Sequence, residues 1–401
     1  MKKVLCFLVF IIIASSLFVV LNYKYDNKEI SLISNSNLSI NDELKNETDE
    51  QLSMFDFSNL DEMLNNEEIA SNFGANSFLE KVKSLISGEY SADFVSILKL
   101  IFETFFNDLK TLIPTLALVL AVSVLSNFVS EFKVKSGKNV GDIVHFVCYA
   151  VVIIIICANI TNLIKLAQNT INSMETQMET LFPIILTLMA SIGNTVSVGI
   201  YQPIIAMLSG IITGVFKYLV IPIFLISFVF SVVGNLSNNV KLNKFSSLLK
   251  DVFKWVIGGV FTIFTGIMAV KGISAGSFDG VSIRTTKFAI KTYVPLVGGY
   301  LSDGFNIIMG SSILIKNAVG TAGLLLIFLS ILSPIITILI FKWAIHLLSA
   351  FLEPLMDNKI SNFLYSLSSS INMLIASILC VAMMYIICIG LLMTTGNVYW
   401  G

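Results

Sequence analysis

The sequence predicts an all-α polytopic membrane protein, with about seven or eight transmembrane or re-entrant helices behind an N-terminal signal sequence. Three observations predict it. Hydrophobic residues make up 55% of the 401 positions and charged residues only 13%, where a soluble domain carries about 25%. Mean hydropathy is +0.85. The charges are also segregated: positions 24–110 hold 17 of the 26 acidic residues and 7 of the 25 basic ones. The rest of the chain is therefore nearly uncharged and weakly basic.

The chain opens with Lys2 and Lys3, an apolar run over 4–13, and then Ala14-Ser15-Ser16. Positive, apolar and small-residue regions in that order make a secretory signal. The apolar run resumes over 17–21, so positions 1–22 read as either a cleaved signal peptide or an uncleaved signal anchor. Positions 23–75 are acidic and rich in Asn and Ser. Composition of that kind buries little apolar surface, and it predicts a flexible extracytoplasmic tether. In 76–110, Phe78, Val82 and Leu85, then Phe94, Ile97, Leu98, Ile101 and Phe105, recur at helical spacing. They predict amphipathic extracytoplasmic helices, lying on the membrane or against a partner.

From 111 to 396 the sequence reads as a multispan membrane domain, followed by a tail at 397–401. A span needs about 20 apolar residues. The strong candidates are 111–129, 143–164, 218–236, 252–270, 320–341 and 371–393. The 37 residues between Glu179 and Lys217 carry no charge. One helix of that length would measure about 55 Å, which is too long for one crossing. Breaks at Gly193-Asn194 and Gln202-Pro203 predict two short helices or a re-entrant pair.

Lysines set orientation, since cytoplasmic loops carry the Lys/Arg excess. Lys133, Lys135 and Lys138 mark one loop as cytoplasmic. Lys241, Lys244, Lys250 and Lys254 mark another. Lys254-Trp255 and Lys342-Trp343 pair an indole with an ammonium, as interface anchors do. The segment 271–318 strains this scheme. It carries Lys271, Arg284, Lys287, Lys291 and Lys316 against Asp279 and Asp303, yet the crossing count puts it outside. It is also too apolar for an ordinary loop, so it is expected to re-enter the membrane or pack among the helices. Candidate structural or pathway residues there are Asp279, Arg284, Lys287, Pro295, Asp303, Lys316 and Asn317.

Several chemistries find no support. Net charge is −1, which gives nucleic acid no electrostatic purchase. The five cysteines all lie in apolar stretches, so neither a disulfide framework nor a zinc site is expected. Gly272-Ile273-Ser274-Ala275-Gly276 matches the nucleophile-elbow spacing. However, the two histidines, His145 and His346, have no recognisable orienting carboxylate. Gly272, Gly276 and Gly280 read better as a small-residue helix contact or a glycine-rich loop. No phosphate loop, H-E-x-x-H or redox C-x-x-C occurs. No catalytic residue, cofactor or metal is expected.

The run Asp279-Gly280-Val281-Ser282-Ile283-Arg284-Thr285-Thr286-Lys287-Phe288 continues into Tyr293-Val294-Pro295-Leu296-Val297-Gly298-Gly299, then Leu301-Ser302-Asp303 and Leu314-Ile315-Lys316-Asn317-Ala318-Val319-Gly320. With Leu181-Phe182-Pro183 and the terminal Thr394-Thr395-Gly396-Asn397-Val398, it resembles the stage III sporulation protein AE family of endospore-forming Firmicutes. The resemblance covers about 90–398. It implies a membrane subunit of a secretion-like channel between mother cell and forespore, needed for late forespore development and late forespore transcription. The membrane would be the mother-cell membrane surrounding the forespore. Partners implied are other proteins of the same sporulation operon, possibly a forespore membrane protein, the lipid bilayer and further copies of the chain. A self-sufficient secondary transporter of a small solute is the alternative, because broken helices near mid-membrane are typical of such proteins.

Overall fold

The computed structural model describes residues 38–64, 76–88, 94–131, 138–236, 242–293, 298–354 and 358–395. All regular structure among them is helical. Ten α-helices follow in order: α1 Leu38–Ser53, α2 Ser58–Met63, α3 Phe78–Ser87, α4 Phe94–Glu131, α5 Lys138–Ser191, α6 Thr195–Val215, α7 Ile221–Leu236, α8 Asn243–Tyr293, α9 Gly298–Leu352 and α10 Asn358–Thr394. A π-turn, Phe216–Val220, joins α6 to α7 without a loop.

Among the described residues six helical stretches are long and apolar enough to cross a membrane: Ile97–Phe128, Phe146–Ser191, Thr195–Asn235, Lys244–Val270, Asn306–Leu352 and Ile360–Thr394. Each contains all or nearly all of one sequence-predicted span. The two short helices expected after Glu179 are continuous with their neighbours, the first with α5 and the second, through the π-turn, with α7. The uncharged stretch after Glu179 does turn at Gly193-Asn194, where Gly193 takes φ +93°. Glycine enters that region at no steric cost. The Gly193 and Asn194 N–H groups donate back to Ala190 O and Met189 O, closing the end of α5. Pro203, by contrast, sits inside α6 and does not end it. Neighbouring helices and local backbone adjustments let apolar helices tolerate such prolines.

α5, α8 and α9 have 54, 51 and 55 residues. At 1.5 Å per residue each exceeds about 75 Å, against a hydrocarbon core of about 30 Å. They must therefore project beyond the bilayer. The described part of the segment 271–318 is the continuous end of α8 and the start of α9. The connection at 294–297, which includes Pro295, lies outside the described residues.

α10 is the centre of the bundle. Its apolar window is 78% buried. It packs most extensively on α9, then on α5 and α7. Ser349 and Ser361 bond across the α9–α10 hairpin at one end, while Lys316 Nζ meets Thr395 O at the other. At the hairpin end Tyr149 donates to Val232 O at 2.9 Å, and Lys250 Nζ donates to Ser366 O at 3.1 Å.

A helical cap covers the opposite end. Composition predicts a flexible tether over 23–75, yet α1 and α2 occupy part of it. Leu52, Phe57, Leu60, Leu64, Phe78, Val82 and Leu85 are buried together, and the Phe57 and Phe78 rings stack at 5.4 Å. Ser77 accepts from Glu80 N–H, and Gly88 ends α3 with φ +74°. That serine–glutamate spacing is the capping-box signature. α1 and α3 lie on α9, and α2 on α5. Gln51 locks the docking: its Nε2 donates to Ser311 Oγ at 3.0 Å, and Ser312 Oγ donates to its Oε1 at 2.9 Å. Lys81, on α3, is 2% exposed, and burial pushes its ammonium down to about 8. The other amphipathic stretch expected within 76–110 runs unbroken into the first span as α4.

Candidate functional site

Apolar side chains fill most of the bundle, so its buried polar groups stand out. They follow α9 and α10 from the cap to the hairpin end. In a membrane protein a polar side chain facing the bundle interior is costly, and it marks a structural clasp or a pathway. The seam begins at Gln51, Ser311 and Ser312. One turn further along α9 come Lys316, fully buried, and Asn317, 8% exposed. Lys316 donates to Thr395 O at 2.5 Å, satisfying one of the carbonyls that every helix leaves open at its C-terminus. Asn317 Oδ1 is buried without a hydrogen-bond partner.

Midway, two neighbours clasp α9. Gln177 of α5 donates to Ser330 Oγ at 2.7 Å. Asp108 of α4 accepts from Thr337 Oγ1 at 2.6 Å. Charge-assisted bonds of this kind are roughly twice as strong as neutral ones. On α10, Tyr385 is buried, and its hydroxyl is directed at Ser209 and Thr213 of α6. Towards the hairpin the serines of α10 take over. Ser231 Oγ and Ser366 Oγ lie 2.7 Å apart, and Ser246 bridges α8 to Ser227 and Ser231. His346 Nδ1 lies 3.4 Å from Ser368 Oγ.

Of the sequence-predicted candidates, Lys316 and Asn317 lie on this seam. Asp279, Arg284 and Lys287 are on helical backbone in α8, and Asp303 is on α9; their side chains, and Pro295, lie outside the described residues. Ser274 is in the middle of α8, not at the strand-to-helix turn that a nucleophile elbow requires. Lys217 is exposed on the π-turn, 5.8 Å from the Tyr218 ring, and Glu353 is exposed at the end of α9. Trp255 and Trp343 are 82% and 63% exposed, as lipid-facing anchors require.

Sequence reading missed Gln51, Asp108, Gln177 and Tyr385. Gln177 and Ser330 are 153 positions apart, and nothing local to either announces the other. The serine run Ser366–Ser370 was a visible signal, because serine clusters are unusual inside an otherwise apolar helix.

Comparison with known proteins adds a family. The sequence model of the family described as "Stage III sporulation protein AE" matches residues 76–396. The stage III sporulation protein AE of Bacillus subtilis (strain 168) is 26% identical over 315 residues, 78% of each chain. No solved structure matches.

Proposed function

The chain belongs to the stage III sporulation protein AE family, and from that premise we propose that it is a membrane subunit of the channel complex linking mother cell and forespore. Its place is the mother-cell membrane around the forespore, and its role is to support late forespore development and late forespore transcription. The family match over 76–396 carries this reading. Two features of the molecule support it. Lys250, near the start of α8, lies at the hairpin end of the bundle and the cap at the other, so the positive-inside rule directs the cap away from the cytoplasm. A cap in that position meets other proteins in the intermembrane space. The buried seam gives the bundle a polar interior where a pathway can run.

Partner capture tests the proposal. The full chain and a variant lacking 76–93 are purified from sporulating cells, with the remaining proteins of the operon as prey. The full chain is expected to retain them and the variant to lose at least one. Equal recovery of every partner contradicts a cap-mediated assembly. The seam also suits a secondary transporter working alone. Solute uptake into liposomes containing this chain and no partner would favour that reading over the channel subunit.

A further inference from the structure

Outside the buried seam, one face of α5 differs from the surface of its neighbours. Asn162, Lys165, Asn169, Asn172, Thr176 and Glu179 recur every three or four residues, and all are exposed. That spacing sets them in one stripe along the helix. Contacts fix the level of the stripe in the bundle. Gln177 bonds Ser330, and Leu181 lies against Gly323, so α5 and α9 run antiparallel. Ser330 is in the middle of the apolar span 320–341. Thr337, about 10 Å further along α9, is thus level with Asn169 and Asn172.

α4 packs along α5 and presents the opposite character at this level. Its Asp108 bonds Thr337. Phe105 and Phe106, within one turn of Asp108, are both exposed. A bilayer sorts side chains by depth. It does not set hydrocarbon against two phenylalanines and also against a polar stripe on the next helix, because unmet polar groups are costly in lipid. Charged side chains inside a span face the bundle interior or water, and exposed Lys165 and Glu179 do not face the interior. The boundary between apolar and polar surface therefore runs lengthwise between α4 and α5, with water on the α5 side. The cap agrees. Asn59 and Glu62 of α2 are exposed, and they share a cleft of about 380 Å³ with Asn169, Asn172 and Thr176. A polar helix docked there needs an aqueous face, not acyl chains.

We propose that this face of α5 is one wall of a water-filled passage for small polar solutes without net charge. Three amides, one hydroxyl and one charge of each sign line it, so neither cations nor anions are favoured. The cleft under α2 is its mouth, and its volume falls within the range of about 300–1,000 Å³ of small-molecule sites. The passage follows the flank of the bundle and is separate from the seam. It rests on the reading of the chain as a subunit that conducts material, but its test reads water access in the purified protein. It can therefore fail while the sporulation role stands.

The test uses the full chain in lipid nanodiscs, with the substitutions Asn169→Cys, Asn172→Cys, Phe105→Cys and Phe106→Cys made singly. Each variant is checked for an unchanged size-exclusion profile. Two water-soluble thiosulfonates, one cationic and one anionic, are the probes. Reaction is scored above that of the parent, whose Cys148, Cys380 and Cys388 are buried. Thiols react as thiolates, which form in water and are disfavoured in apolar surroundings. The two α5 positions are expected to react, with similar rates for both probes, and the two α4 positions to resist. Equal reaction on α4 and α5 overturns the proposal, because it puts this level outside the bilayer. Resistance on α5 overturns it too, because water does not reach the stripe. A preference of more than about 10-fold for one probe, the mark of electrostatic focusing, overturns the assignment to uncharged solutes.

Discussion

Replacing Gly320 and Gly323 together with valine is expected to abolish recovery of folded protein from the membrane. α9 threads between α5 and α10 at these two glycines. A Cβ at Gly323 would sit 2.6 Å from Leu181 Cδ1, and one at Gly320 would sit 2.5 Å from Met393 Cγ and Sδ. Small residues at helix crossings are what let backbones approach in lipid. Overpacking a well-filled core costs about 1–3 kcal/mol per site. Two such insertions on one helix therefore approach the 5–15 kcal/mol that keeps a whole protein folded. Gly199→Ala is the control: nothing lies within 4 Å of the added carbon, and removing a helical glycine gains about 0.5–1 kcal/mol. Fluorescence-detected size-exclusion recovery should show the double variant aggregated and Gly199→Ala unchanged or improved. A monodisperse double variant would mean that α9 is not closely held there.

Lys316→Met should leave the protein folded but loosen the end of α10. Methionine roughly matches the lysine stem in volume, and it removes an ammonium whose burial is expensive. The global fold therefore survives. What goes is the donor that Lys316 gives Thr395 O. Hydrogen bonds to charged groups contribute about 1.5–3 kcal/mol, or about a 10- to 100-fold change in a local opening equilibrium. Amide hydrogen exchange at 390–395 is the readout. Exchange should accelerate by about that factor there and remain unchanged near Ser349 and Ser361 at the opposite end of the α9–α10 hairpin. Unaltered exchange at 390–395 would show that Lys316 does not hold this terminus.

Much of the bundle was legible in the sequence, because spans are set by a local property. The stretches 111–129 and 371–393 declare themselves through about 20 largely apolar residues; the first lies within Ile97–Phe128 but for its last residue, and the second within Ile360–Thr394. Helix ends were harder. Gly193 and Pro203 look equally disruptive on paper, yet only Gly193 adopts a positive φ, while the bundle absorbs Pro203. The segment 271–318 shows the same limit: its lysines and apolar runs suggest neither loop nor span, while its described backbone is the end of one helix and the start of the next, with Lys316 buried among the helices.

The cap was hidden for a different reason. α1 and α2 bury Leu52 and Leu60 only by closing over α9 and α5, so their own composition reads as that of a soluble tether. The seam is the least local feature of all. Gln177 and Ser330 come from two helices, and only their packing brings them to one place. The block from Asp279 to Gly320 gave the family resemblance before any contact was known, and the family match over 76–396 bears it out.

The central claim is that this chain works in the membrane between mother cell and forespore. A sporulating host whose own copy is deleted tests it most directly. Heat-resistant spores and a late forespore transcription reporter are scored with and without this chain supplied in trans. Arrest after engulfment, a silent reporter and rescue by the full chain, with the tagged chain encircling the forespore, are the predicted result. Normal spore yield in the deletion strain, with the reporter active, would contradict the account.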